Sequence, residues 1–287
     1  MDLVCGMKRN KFTATERDRI SSVLEWAFVR LEAWFQWFNT TQSVTLTSGL
    51  DDYPCASHPI EDERHLDLRC WMFLAADCMH SISKLLQKEH ELGKEYDSTA
   101  KLLSNFEILN QNLIGFWKSH GKGSFDLVRS NGKQPLCKSR ARPGSFRTAK
   151  IEDSTILEQQ LNLISNRSIL WTDYGLRSLS KTSSMYMKYN TEHDAPYWRG
   201  PIWMNINYMI LSSLHHYSKE NGPYRDKAKI IYNDLRSNLI SVVKNYQQIR
   251  YFWEQFDQKK SKGKGARIFP GWTSLVLLIM VEAYSEC

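Results

Sequence analysis

The chain has 287 residues, 42% hydrophobic and 12% aromatic, enough for a substantial core in one large domain or two small ones. Its formal charge of +7 is local. Arg129, Lys133, Lys138, Arg140, Arg142, Arg147 and Lys150 stand in a run with no Asp or Glu, and outside it 31 basic residues face 31 acidic ones. That balance excludes a nucleic-acid-binding fold as a whole, and no apolar run is long enough to span a bilayer.

Thr13-Ala14-Thr15-Glu16 has capping-box spacing and predicts a helix from there to about Asn39. Its expected buried face is Ile20, Val23, Leu24, Ala27, Leu31, Trp34, Phe35 and Phe38. Ser43 to Pro59 reads as loop. A second helix begins near Glu63 and carries Leu66, Cys70, Trp71, Leu74, Cys78, Ile82 and Leu85, ending before Gly93. A third is expected from Tyr96 to Trp117. From Lys118 to Glu152 periodicity fails among Gly and Pro, which predicts a solvated, disordered basic insertion.

Helical spacing resumes over Ile156–Leu170, inward at Leu157, Leu161 and Ile164. After a loop holding Trp171 and Asp173 comes a polar, aromatic stretch with Glu192, His193, Asp194, Tyr197, Trp198 and Arg199. Gly200-Pro201 turns it into a buried helix marked by Ile202, Trp203, Ile206, Met209, Ile210, Leu214 and Tyr217, with Pro201 placed in the first turn. The next helix faces inward at Ala228, Ile231, Leu235, Leu239, Val243 and Tyr246. A loop over Tyr251–Asp257, a Lys-rich segment to Arg267 and a last helix over Leu275–Tyr284 complete a reading of seven helices and no strand. The polar-aromatic clusters all precede helices, as in stacked helical hairpins with functional loops at one end.

Aromatic faces beside carboxylates and a guanidinium suit pyranose rings and their hydroxyls, and ten Trp is a surplus for this length. Six scattered cysteines form no Cys-x-x-Cys pair and no zinc-like spacing. Asn39-Thr40-Thr41 and Asn166-Arg167-Ser168 permit glycosylation. No signal peptide is legible after Met1, so the chain by itself reads as cytosolic.

Several segments together carry a resemblance. Ser48-Gly49-Leu50-Asp51-Asp52-Tyr53-Pro54, Glu192-His193-Asp194-Ala195-Pro196-Tyr197-Trp198-Arg199-Gly200, Trp253-Glu254-Gln255 and Gly271-Trp272-Thr273-Ser274-Leu275-Val276 are similar to segments of the mannosyl-oligosaccharide glucosidases of glycoside hydrolase family 63. Leu31-Glu32-Ala33-Trp34-Phe35 and His65-Leu66-Asp67-Leu68-Arg69-Cys70-Trp71 resemble the family as well, in its order. The resemblance implies an all-α (α/α)6 barrel, incomplete here because seven helices stand where twelve are needed. It spans 1–287, with the basic insertion at about 118–152.

It also implies an inverting exo-α-glucosidase without a metal. The enzyme would remove the terminal α-1,2-linked glucose of the N-glycan precursor on nascent glycoproteins, in the endoplasmic reticulum lumen. By motif position Asp51 is the general acid and Glu254 the general base. Asp51 beside Asp52 suits an acid, since like charges raise one partner's pKa. Asp52, Tyr53, Asp173, Glu192, His193, Asp194, Tyr197, Trp198, Arg199, Trp203, Asn205, Trp253 and Trp272 are the candidates for binding the sugar. Cys55 stands where the family has Arg, which removes a bidentate cation beside the proposed acid. The alternative is a non-catalytic fragment that keeps a glycan-binding surface.

Overall fold

The computed structural model describes residues 7, 12–41, 52, 66–88, 93–103, 126–127, 137–138, 154–244, 251–282 and 284. Asp51, Tyr53 and Cys55 lie outside them, as does most of the basic insertion. The described residues are mostly helical, with seven α-helices among them. These are α1 (Ala14–Thr41), α2 (Leu66–Leu85), α3 (Lys94–Leu103), α4 (Ser154–Ser165), α5 (Met204–Lys219), α6 (Arg225–Lys244) and α7 (Leu275–Met280). The chain divides into two compact units: Met1–Gly49, Ile60–Asn112 and Ser285–Cys287 in one, Leu50–Pro59 and Leu113–Tyr284 in the other.

In the first unit, the capping box forms as its sequence predicts. Thr13 N–H donates to Glu16 Oε2 at 2.8 Å, and Glu16 N–H to Thr13 Oγ1 at 3.4 Å. The Thr13 side-chain hydroxyl and then its backbone N–H hold the Glu16 carboxyl below its ordinary value. The core is Leu24, Phe28 and Phe35 of α1, Met72, Ala76, Met79 and Ile82 of α2, and Tyr96 and Ala100 of α3. Tyr96 fixes the facing, edge-on to Phe28 and Phe35 with centroids 6.3 and 5.2 Å away, its hydroxyl donating to Glu32.

The face expected for α1 is therefore corrected. Val23, Leu31 and Trp34 are exposed, Trp34 by 71%, and Trp71 of α2 is also exposed. Apolar side chains surround α1 on more than one side, so periodicity alone could not choose the seam that Tyr96 selects.

In the second unit, α5 lies against α6, and both meet α7. Leu157, Leu161 and Ile164 of α4, Met209, Ile210, Leu214 and Tyr217 of α5, and Ala228, Ile231, Leu235 and Leu239 of α6 are buried, as their spacing predicts. Two boundaries differ. Trp203 is the extended cap before α5, so Pro201 precedes the helix rather than opening it, and its carbonyl accepts Ser178 N–H at 3.1 Å. The last helix is shorter than expected, preceded by a 3-10 turn over Trp272–Ser274.

The expectation of no strand is also corrected. Three antiparallel ladders pair β1 (Asp126–Leu127) with β2 (Cys137–Lys138), β3 (Trp171–Thr172) with β4 (Gly175–Leu176), and β5 (Trp253–Phe256) with β6 (Gly263–Arg267). Two-residue strands are too short for a period-2 signal, and β6 (Gly-Lys-Gly-Ala-Arg) has no apolar alternation to read. Among the described residues, no helix is long and apolar enough to cross a membrane.

Asn207, on α5, braces the β3–β4 hairpin. Its Oδ1 accepts Leu176 N–H at 2.7 Å, and its Nδ2 donates to the carbonyls of Leu176 at 3.2 Å and Trp203 at 2.8 Å. The side chain is fully buried. Asn207→Leu is expected to cost about 1–3 kcal/mol for each polar group left without a partner. Denaturant unfolding checks this, and an unchanged midpoint would show that the brace does not matter.

Candidate active site

The site is assembled by one short extended segment. Ile202 pairs on one side with Arg177, just after β4, and on the other with Phe256 at the end of β5. Ile202 N–H donates to Phe256 O, and Phe256 N–H to Ile202 O, both at 2.9 Å. This pairing lays the aromatic stretch before α5 beside the strand that carries Glu254.

On β5, Trp253 lies over Gly263 of β6. A Cβ at Gly263 would stand 2.0 Å from the Trp253 ring, so only glycine allows that contact. A register shift between Trp253 and Gln255 places Glu254 at an irregularity of the ladder, where strands re-aim side chains. Glu254 is half-buried. Its Oε1 accepts the Tyr197 hydroxyl, its Oε2 accepts Ala266 N–H at 3.1 Å, and its carbonyl accepts Trp272 Nε1 at 3.0 Å. Thr273, fully buried, donates its hydroxyl to the Trp253 carbonyl at 2.5 Å.

Asp52 belongs to the second unit although its neighbours in sequence lead into α1 and α2. Its carboxylate is buried and accepts three protein donors: Trp198 N–H at 2.5 Å, Tyr197 N–H at 2.8 Å and Asn190 Nδ2 at 3.2 Å. Arg199, also buried, donates through Nε to the Asp52 carbonyl at 2.6 Å and pairs with the carboxylate at 3.8 Å. Asp52 and Arg199 therefore satisfy each other and the loop. Burial of such a pair is tolerated because the remaining lone pairs are filled.

Trp198 and Trp203 stack, with centroids 3.7 Å apart and planes 10° from parallel. Trp203 is fully buried and donates Nε1 to the Tyr197 carbonyl at 3.1 Å, while Trp272 tilts against it at 5.5 Å. Trp198 Nε1, Trp253 Nε1 and Gln255 Oε1 are buried and have no hydrogen-bond partner among the described residues. Asn205 caps its own neighbour, accepting Ile206 N–H at 2.9 Å. Asp173 is exposed on the β3–β4 turn and paired with Arg167 at 2.6 Å. Glu192, His193 and Asp194 are exposed on the loop before Tyr197.

The structure thus brings together Asp52, Tyr197, Trp198, Arg199, Trp203, Trp253, Glu254 and Trp272. Ala266, Thr273, Asn190 and Gln255 also enter the cluster unforeseen. Of these, only Thr273 and Gln255 sit inside motifs that the sequence singles out. Among the described residues, no three His, Cys, Asp or Glu side chains converge as a metal site requires.

A braced carboxylate set among stacked indoles on a helical scaffold is an arrangement suited to carbohydrate chemistry, where rings and hydroxyls must be held together. The profile of the Glycosyl hydrolase family 63 C-terminal domain matches residues 43–150 and 143–282, and the chain belongs to that family. It is 55% identical to Mannosyl-oligosaccharide glucosidase GCS1 of Arabidopsis thaliana, over 99% of this chain and 39% of that protein. It is 50% identical to Alpha-glucosidase 2 of the same plant, over 99% and 42%. Identity to the Probable mannosyl-oligosaccharide glucosidase of Schizosaccharomyces pombe is 34%, over 87% and 30%. The chain spans about two fifths of the length of the plant relatives.

Asp52→Ala would leave Arg199 buried without its carboxylate and three donors without their acceptor. The expected loss of stability is about 3–5 kcal/mol. Denaturant unfolding, with proteolysis of the 190–199 loop as a local probe, checks it. Wild-type stability and protection would refute the clamp.

Proposed function

We propose that the chain is part of an inverting exo-α-glucosidase that removes the terminal α-1,2-linked glucose from N-glycan precursors on nascent glycoproteins. Its helices would form part of an (α/α)6 toroid, and the protein would work in the lumen of the endoplasmic reticulum. Membership of family 63 and the names of the plant and yeast relatives support the substrate class.

The observation that carries the mechanism is the setting of Glu254. One oxygen meets the Tyr197 hydroxyl and the other the Ala266 N–H, while the same Tyr197 is tied through its backbone to Asp52. Asp51, the residue just before Asp52, is the proposed acid. Cleavage then follows the inverting scheme. Protonated Asp51 gives its proton to the glycosidic oxygen as the bond from that oxygen to the anomeric carbon breaks. Glu254 takes a proton from a water whose oxygen attacks that carbon from the opposite face. The two carboxyl groups must leave room for this water, roughly 6.5–9.5 Å.

The stacked Trp198–Trp203 pair would back the sugar site from inside the protein, and the buried Trp198 and Trp253 indole N–H groups are the donors assigned to its hydroxyls. The wall that Trp203 forms is indirect, since it reaches the site through Tyr197 and Trp198.

Asp51→Asn and Glu254→Gln are each expected to lower glucose release from a glucosylated N-glycan by about 10²–10⁴-fold. Steady-state assay of the purified chain measures this. Undiminished turnover in either variant would contradict the assignment. Binding of the glycan without release by the wild-type chain would favour a glycan-binding fragment instead.

A further inference from the structure

Tyr197 touches both the anchored Asp52 and the proposed base Glu254. Its backbone N–H donates to Asp52 Oδ2 at 2.8 Å and its hydroxyl donates to Glu254 Oε1. The residue between those two ends is held firmly. Its carbonyl accepts Trp203 Nε1 at 3.1 Å. Its ring stands edge-on to Trp198 and Trp203, with centroids 6.1 and 4.6 Å away and interplanar angles of 84° and 86°. The next residue, Trp198, gives its own N–H to the other Asp52 oxygen at 2.5 Å.

A tyrosine side chain has only two rotatable torsions, and here both ends and both edges of the ring are engaged. The distance between its backbone nitrogen and its hydroxyl oxygen is thereby nearly fixed. At the far end, Ala266 N–H occupies the second oxygen of Glu254, so the carboxylate cannot swing away from the hydroxyl without losing two partners. Asp52 at the near end is buried and saturated, so it acts as an anchor rather than a group free to meet a sugar.

We propose that Tyr197 is a positioning residue, a strut between Asp52 and the strand that carries Glu254. It sets where the Glu254 carboxylate stands relative to Asp52, the residue that follows the proposed acid in sequence. This rests on Glu254 being the general base. It explains why an exposed polar loop, 190–195, ends in a half-buried Tyr followed by a buried Trp and Arg. That run exists to span from one carboxylate segment to the other.

Tyr197→Phe keeps the ring and the backbone N–H and removes only the hydroxyl. On a glucosylated glycan its kcat is expected to fall about 10- to 100-fold, with KM within about twofold of wild type, as for a misplaced reacting group. Its thermal midpoint should stay near that of the wild type. In a Glu254→Gln background the same substitution should cause no further loss, because it acts through that carboxylate.

Calorimetric titration with a protonated iminosugar of glucose configuration gives a readout without turnover. Its affinity for Tyr197→Phe should fall about tenfold while that of neutral glucose is unchanged. Equal kcat and equal iminosugar affinity in wild type and Tyr197→Phe would overturn the strut and leave the general base standing. An equal further loss in the Glu254→Gln background would also overturn it. A wild-type chain that neither releases glucose nor binds the iminosugar would overturn the general-base reading, and the strut with it.

Discussion

The buried carboxylate of Asp52 is the contact on which the site depends. An unpaired carboxylate at that depth would be costly, and this one is accommodated because backbone N–H groups of Tyr197 and Trp198, the Asn190 amide and Arg199 surround it. The same interactions leave the loop one way to lie. Arg199 adds a second tie through the Asp52 carbonyl, so main chain and side chain of Asp52 are both held.

The other fixed point is the ladder through Ile202. Backbone pairing is independent of side-chain chemistry, so it can join a loop, a hairpin and a strand whose sequences share no pattern. Between these two points the aromatic side chains act as spacers. Trp203 is entirely core, Trp198 is stacked on it, and Tyr197 reaches past both to Glu254. The contrast between the acids follows. Asp52 spends its oxygens on the protein's own backbone, while Glu254 sits half-buried at an irregular point of a strand, held by one hydroxyl and one N–H.

Much of this is legible in the sequence, and the gaps have physical causes. The inward faces of α4 and α6 follow from apolar spacing because each has a single apolar side to bury, whereas α5 is buried on nearly every side and its spacing marks only part of that burial. For α1 the same spacing points Val23, Leu31 and Trp34 inward, yet they are exposed, since its excess of large apolar residues admits more than one seam. The segment around Glu254 reads as loop in the sequence because β5 pairs with a Lys- and Gly-rich partner that carries no periodicity. Asp52 was picked out by its motif, yet its partners lie about 140 residues away and could not be read from spacing. Asn205 attracted notice as the amide nearest the aromatic motif, while Asn207, two residues on, makes the long-range bonds. Asp51 and Tyr53, outside the described residues, rest on the family motif alone.

The central claim is that Glu254 delivers water rather than attacking the sugar itself, opposite an acid carried beside Asp52. The anomeric form of the first glucose released tests it most directly, by proton NMR of the reaction in deuterated buffer before mutarotation intervenes. The account requires β-glucose from an α-linked substrate. α-Glucose as the initial product would contradict it, since retention needs closer carboxyl groups and a covalent intermediate.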